Sequence, residues 1–108
     1  MPNVTIFMPT EKMPSDANRA ELAARCTRLC TDILQAALDN VHVIYVAAHH
    51  GRGHPAYVEI KYRLESLRTS SVMDVFMARL DEAITRHTGL TARIRCFGYA
   101  APAIHARN

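Results

Sequence analysis

From Asn3 to Met8 the chain alternates. Val4, Ile6 and Met8 fall on one side of an extended segment, and Asn3, Thr5 and Phe7 fall on the other. That period predicts a strand with one better-buried face. Pro9 to Pro14 carries prolines among polar residues and reads as a loop. Ser15 and Asp16 are N-cap candidates for a helix predicted to run to about Leu38. Leu22, Cys26, Leu29, Cys30, Ile33, Leu34 and Ala37 recur at helical steps, opposite Arg25, Arg28, Asp32 and Gln35. Asp39 and Asn40 break the pattern. Val41 to Ala48 is almost continuously apolar, as in a central strand covered on both faces. His49 to Pro55 is a loop. Ala56 to Leu64 alternates again, with Val58, Ile60, Tyr62 and Leu64 opposed to Tyr57, Glu59, Lys61 and Arg63. Ser71 and Asp74 form a candidate capping box for a second helix running to about Thr88, with Gly89 as its stop. Ala92 to Tyr99 is the last strand, followed by a short irregular segment.

This order predicts an α+β fold built from two β-α-β units. Each unit joins parallel strands by a right-handed crossover. Together they give a four-stranded mixed sheet with both helices on one face. Laid over each other, the halves place Val4 on Val58, Ile6 on Ile60 and Tyr45 on Tyr99. The second sheet face has no cover within the chain. It carries Phe7, Ile44 and Val46, which predicts burial against further copies.

The 108 residues fit one domain, residues 1–108. With 49% apolar and 21% charged residues, the composition is globular. The longest uncharged apolar run, Val41 to Ala48, is far short of the roughly 20 residues of a membrane span. No basic-then-apolar leader precedes it, so neither secretion nor a membrane partner is expected. The net charge is +3 and the cations are scattered, Arg93 and Arg95 being the tightest grouping. That disfavours nucleic acid and suits a small anionic ligand. Cys26 and Cys30 lie on the helical stripe and Cys96 on a strand. They read as reduced, mostly buried thiols of a cytoplasmic protein. The HHGRGH run, with His49, His50 and His54, has no acid beside it and is a poor metal site. No metal or other cofactor is expected.

Pro2 directly precedes the first strand. A small residue after the initiator Met permits its removal, which leaves a prolyl amine at the mouth of that strand. Pro2, the alternating strand, the Pro-containing loop, the long helix and the repeat of this unit resemble the tautomerase superfamily. Within it, the chain is most similar to the 5-carboxymethyl-2-hydroxymuconate isomerases. The run AYVEIKYRLESLRTSS, Ala56 to Ser71, resembles the segment of those enzymes that carries a binding arginine, and Arg68 falls on it. The cis-3-chloroacrylic acid dehalogenase branch has two arginines in this stretch, matched by Arg63 and Arg68. The chain departs from the family in placing His42 where relatives carry an arginine near the start of strand two. Lys12 stands where 4-oxalocrotonate tautomerase has an arginine, and Tyr99 is a candidate for the family tyrosine near strand four. The carboxylate that positions water in the dehalogenases has no clear counterpart in the last segment.

The resemblance implies a homotrimer that moves a proton in an unsaturated 2-oxo acid, with Pro2 as general base. An α-amino group titrates at about 7.7–8.0, and burial or nearby cations lower it further. A neutral amine near pH 7 is a competent base. Arg63 and Arg68 would grip a carboxylate and stabilise a developing enolate. Lys12, His42 and Tyr99 are further candidates for substrate contacts. On a strand expected to be buried, His42 reads first as a core histidine. A decarboxylase or dehalogenase on the same scaffold, or a non-catalytic oligomeric binding protein, are the alternatives.

Overall fold

A computed structural model describes residues Met1–Asn108. Strand β1 (Asn3–Pro9) buries Val4, Ile6 and Met8 and turns the alternate residues outward. Helix α1 (Asp16–Asp32) is capped by Ser15, whose Oγ accepts the Asn18 N–H at 3.2 Å. It buries Leu22, Cys26, Leu29 and Cys30.

The helix stops at Asp32 and does not reach Leu38. Gln35 takes a left-handed conformation at φ 53, and the Ala36 N–H returns to the Cys30 carbonyl at 3.1 Å. Leu34 is fully buried although it lies beyond the helix. Helical spacing reported the core-facing residues as far as Leu34, where a turn satisfies that requirement as well as a helix does; Ala37, beyond the turn, is exposed.

Strand β2 (His42–Ala48) follows a short 3₁₀ turn, and β3 (Ala56–Arg63) follows the His-rich loop. Helix α2 (Ser70–Thr88) is capped by Thr69, which accepts the Val72 N–H at 3.3 Å. The cap therefore lies two positions before Ser71, and no Ser71–Asp74 box forms. Gly89 closes α2 at φ 71, a conformation that glycine adopts without a Cβ clash. Strand β4 (Ala92–Tyr99) completes the sheet.

The strand order is β2-β1-β3-β4. β1 runs parallel to β2, β3 runs parallel to β4, and the two units meet through the antiparallel β1–β3 pair. Both helices cover the face that carries Val4, Ile6, Val58 and Ile60, and all of these join one buried cluster. β2 is an edge strand, not a central one. Its apolar run serves two different surfaces. Val43 and Tyr45 are half-buried against the core, while Ile44 is 58% exposed on the opposite face.

The register reveals an internal two-fold. Val4 pairs with Ile60 and Ile6 with Val58, while Thr5 faces Glu59. Rotation about Thr5–Glu59 exchanges Val4 with Val58 and Ile6 with Ile60. Asn3 and Tyr57 exchange likewise, and their parallel partners are His42 and Arg93. The outer strands therefore match His42 to Arg93 and Tyr45 to Cys96. The alignment of Tyr45 with Tyr99 is three residues out of phase, because the two crossover connections differ in length.

A candidate active site at the amino end of β1

Pro2 is fully buried at the head of β1. Its carbonyl accepts the His42 N–H at 3.2 Å, which ties the head of β2 to it. The antiparallel β1–β3 pairing delivers the far end of β3, and with it Arg63, to the same edge. Arg68 lies in the turn that follows. Its Nε donates to the Leu34 carbonyl at 3.0 Å and its Nη1 to the Arg63 carbonyl at 2.8 Å. Arg68 thus binds the turn after α1 to the end of β3, and it pairs a carbonyl of that turn.

These elements enclose a cleft of about 930 Å³. Met1, His42, Arg63 and Arg68 line it together with Gln35, Asp39 and Glu65, and the segment Ile104–Asn108 completes the wall. The terminal amine, here that of Met1, is held below its ordinary value. Burial is the largest cause, followed by the positive charges of Arg63 and Arg68. Neither arginine is ion-paired, although Asp39 and Glu65 share the cleft. Such an arrangement sets two guanidinium groups and a partly desolvated amine around one space.

Of the candidates, the structure gathers Pro2, His42, Arg63 and Arg68 at this end. His42 is exposed at the start of the edge strand rather than in the core. Tyr99 pairs with Arg63 at the same end of the sheet, and neither it nor the buried Pro2 lines the cleft while Met1 is present. Lys12 follows β1 at the opposite end, about 20 Å away at strand rise, so one chain alone does not bring it to Pro2. Sequence reasoning missed Gln35, Asp39, Glu65, His105 and Arg107. No periodicity marks them, because a turn and an irregular segment bring them in.

A second cavity of about 390 Å³ lies at the other end of β1. The His-rich loop forms its rim, and His50 Nε2 lies 3.0 Å from the Gly53 carbonyl. No group of three or more His, Cys, Asp or Glu side chains is arranged to hold a metal. No helix is long and apolar enough to cross a membrane.

No family model matches the chain, and no curated protein matches it by sequence. Solved structures do match it. A fused 4-OT, described as a symmetric trimer, superposes with a TM-score of 0.82 at 14% identity, over 98% of this chain and 94% of that one. Macrophage migration inhibitory factor of Toxoplasma gondii gives 0.78 at 21% identity, over 97% and 96%. A member of the cis-3-chloroacrylic acid dehalogenase family gives 0.78 at 16% identity, over 97% and 80%. At these identities the likeness is one of fold. The chain has the fold of macrophage migration inhibitory factor and the 4-OT proteins, which is the fold implied by the tautomerase resemblance.

Proposed function

We propose that this protein is a tautomerase that moves a proton within an unsaturated 2-oxo acid. The observation that carries the reading is a partly desolvated terminal amine beside two arginines that form no ion pair, all at one cleft. Loss of Met1 would transfer that amine to Pro2, already buried at the head of β1. The neutral secondary amine takes a proton from the carbon beside the carbonyl and becomes an ammonium. The electron pair moves onto the carbonyl oxygen, where arginine stabilises the enolate. The ammonium then returns its proton to another carbon of the conjugated chain. One guanidinium holds the carboxylate in place.

The open sheet face supports a homotrimer. Ile44 and Phe97 are exposed large apolar residues on that face, and further copies would bury them. The trimeric state described for the fused 4-OT supports three copies over two. In such an assembly Lys12 and Tyr99 of one copy could approach the cleft of another.

The test is ultraviolet-monitored ketonisation of phenylenolpyruvate by protein whose N-terminus has been identified by mass spectrometry. Turnover that requires removal of Met1 supports the reading. Equal turnover with Met1 retained would exclude Pro2 as the base.

One observation favours a second reading. Asp39 and Glu65 bring carboxylates into the cleft, and neither is ion-paired. A carboxylate there could activate water for a dehalogenase. Chloride release from 3-chloroacrylate, without ketonisation, would establish that activity instead.

A further inference from the structure

The internal two-fold that exchanges β1 with β3 also relates the strand ends that border the two cavities. It carries Asn3 onto Tyr57 and His42 onto Arg93, while Met1 and Arg63 fall on Pro55 and Pro9. These four residues of the first cleft have their counterparts in the wall of the second, whereas Gln35, Arg68 and the segment Ile104–Asn108 have none. The chemistry at the second end differs in two respects. Its wall contains no aspartate or glutamate, whereas Arg52, Arg93 and the imidazoles of His49, His50 and His54 all line it. Neither Arg52 nor Arg93 makes an ion pair. The floor is also aromatic. Phe7 and Tyr57 stack at 5.7 Å with an interplanar angle of 26°.

We propose that this second cavity is a non-catalytic binding site for a small aryl carboxylate, held by Arg52 and Arg93 with its ring against Phe7 and Tyr57. The guanidinium groups supply charge-assisted donors and the aromatic pair supplies an apolar platform. Binding there ends without turnover. Ala56 occupies the position of Pro2, and its nitrogen is locked in a peptide bond that donates to the Thr91 carbonyl at 3.2 Å. The base is absent while the cationic character persists. Phe7, Tyr57 and Arg93 lie on the open sheet face, so burial of that end of the face against another copy would close the site, and the titration is read at the oligomeric state that sedimentation gives. The site does not depend on tautomerase activity.

The experiment is a benzoate titration followed by amide chemical shifts and calorimetry, on wild type and on Arg63→Gln, Arg52→Gln and Arg93→Gln. In Arg63→Gln, benzoate should still shift the amides of Phe7, Ala48 and Tyr57. Arg52→Gln and Arg93→Gln should each weaken that event at least tenfold, with unchanged ketonisation of phenylenolpyruvate. Acetate should bind at least tenfold more weakly than benzoate, because it lacks the ring. Shifts confined to the Pro2 end, or the same affinity in all three variants, would overturn the second site. Equal affinity for acetate and benzoate would overturn the aromatic platform. Loss of ketonisation in Arg63→Gln bears on the first cleft alone, so the two readings can fail separately.

Discussion

The Nη1 of Arg68 donates to the backbone carbonyl of Arg63 at 2.8 Å, so one candidate substrate arginine positions the other. The same guanidinium holds the Leu34 carbonyl at 3.0 Å. Its loss should therefore affect stability as well as binding. Arg68→Ala removes two hydrogen bonds from a charged donor and should cost about 1–3 kcal/mol. The thermal midpoint should fall by roughly 4–8 °C for each kcal/mol. Arg63→Ala should raise the KM for a carboxylate substrate with little change in midpoint, since no hydrogen bond holds its guanidinium. Equal midpoints for wild type and Arg68→Ala would show that these contacts contribute nothing to the fold.

Pro2→Ala tests the base. The ring is fully buried, so some packing is lost, but the backbone at the head of β1 persists. Ketonisation should fall by on the order of 10²–10⁴, the usual contribution of a positioned proton-transfer group. Circular dichroism should be unchanged. Wild-type turnover in this variant would remove Pro2 from the mechanism.

Gly98 is required by a close approach. A Cβ there would lie 2.6 Å from Leu64 Cδ2 and 2.9 Å from the Tyr62 hydroxyl oxygen. Gly98→Ala should cost about 1–3 kcal/mol of stability in denaturant unfolding, through overpacking. Leu64 is half-exposed, so Leu64→Ala in the same chain should recover part of the loss. A neutral Gly98→Ala would mean that Tyr62 moves aside freely.

The thiols predict an alkaline decline. Burial pushes Cys26 and Cys30 up to about 12 and Cys96 up to about 11, from an ordinary value of 9.0. Above pH 9 the unfolded chain releases thiol protons that the folded chain retains. The unfolded state then binds fewer protons, so stability falls as pH rises through this window, by at most about 1.4 kcal/mol per pH unit per thiol. The urea midpoint should be flat from pH 7 to 8.5 on this account and should drop between pH 9 and 10.5. Cys96→Ala should reduce the slope.

Ile44 tests the open face. Ile44→Asp places a charge on the open face of the edge strand β2 without touching the core. Sedimentation equilibrium should show the wild type near three chain masses and the variant near one. A wild-type mass near one chain would sink the oligomer, and a mass near two would sink the trimer alone.

Period and punctuation in the sequence determined much of this protein. The alternation of Val4, Ile6 and Met8, and of Val58, Ile60 and Tyr62, marks the buried faces of β1 and β3. These residues do face the helices. Ser15 and Gly89 mark helix ends because a side-chain acceptor and a left-handed backbone are local requirements. Pro2, Arg63 and Arg68 were legible as candidates only through the family resemblance of the prolyl start and of the run from Ala56 to Ser71. Other features were decided only by tertiary structure. The apolarity of Val41 to Ala48 predicted cover on both faces, but β2 is an edge strand and Ile44 is exposed, because strand order is set by which strands pair and not by the composition of one of them. α1 ends at Asp32 because Gln35 turns and Arg68, distant in sequence, holds the Leu34 carbonyl. Asp39, Glu65 and Arg107 reach the cleft through a turn and an irregular segment, which have no period to read. The two-fold through Thr5 and Glu59 is a matter of register, and register is set when strands pair.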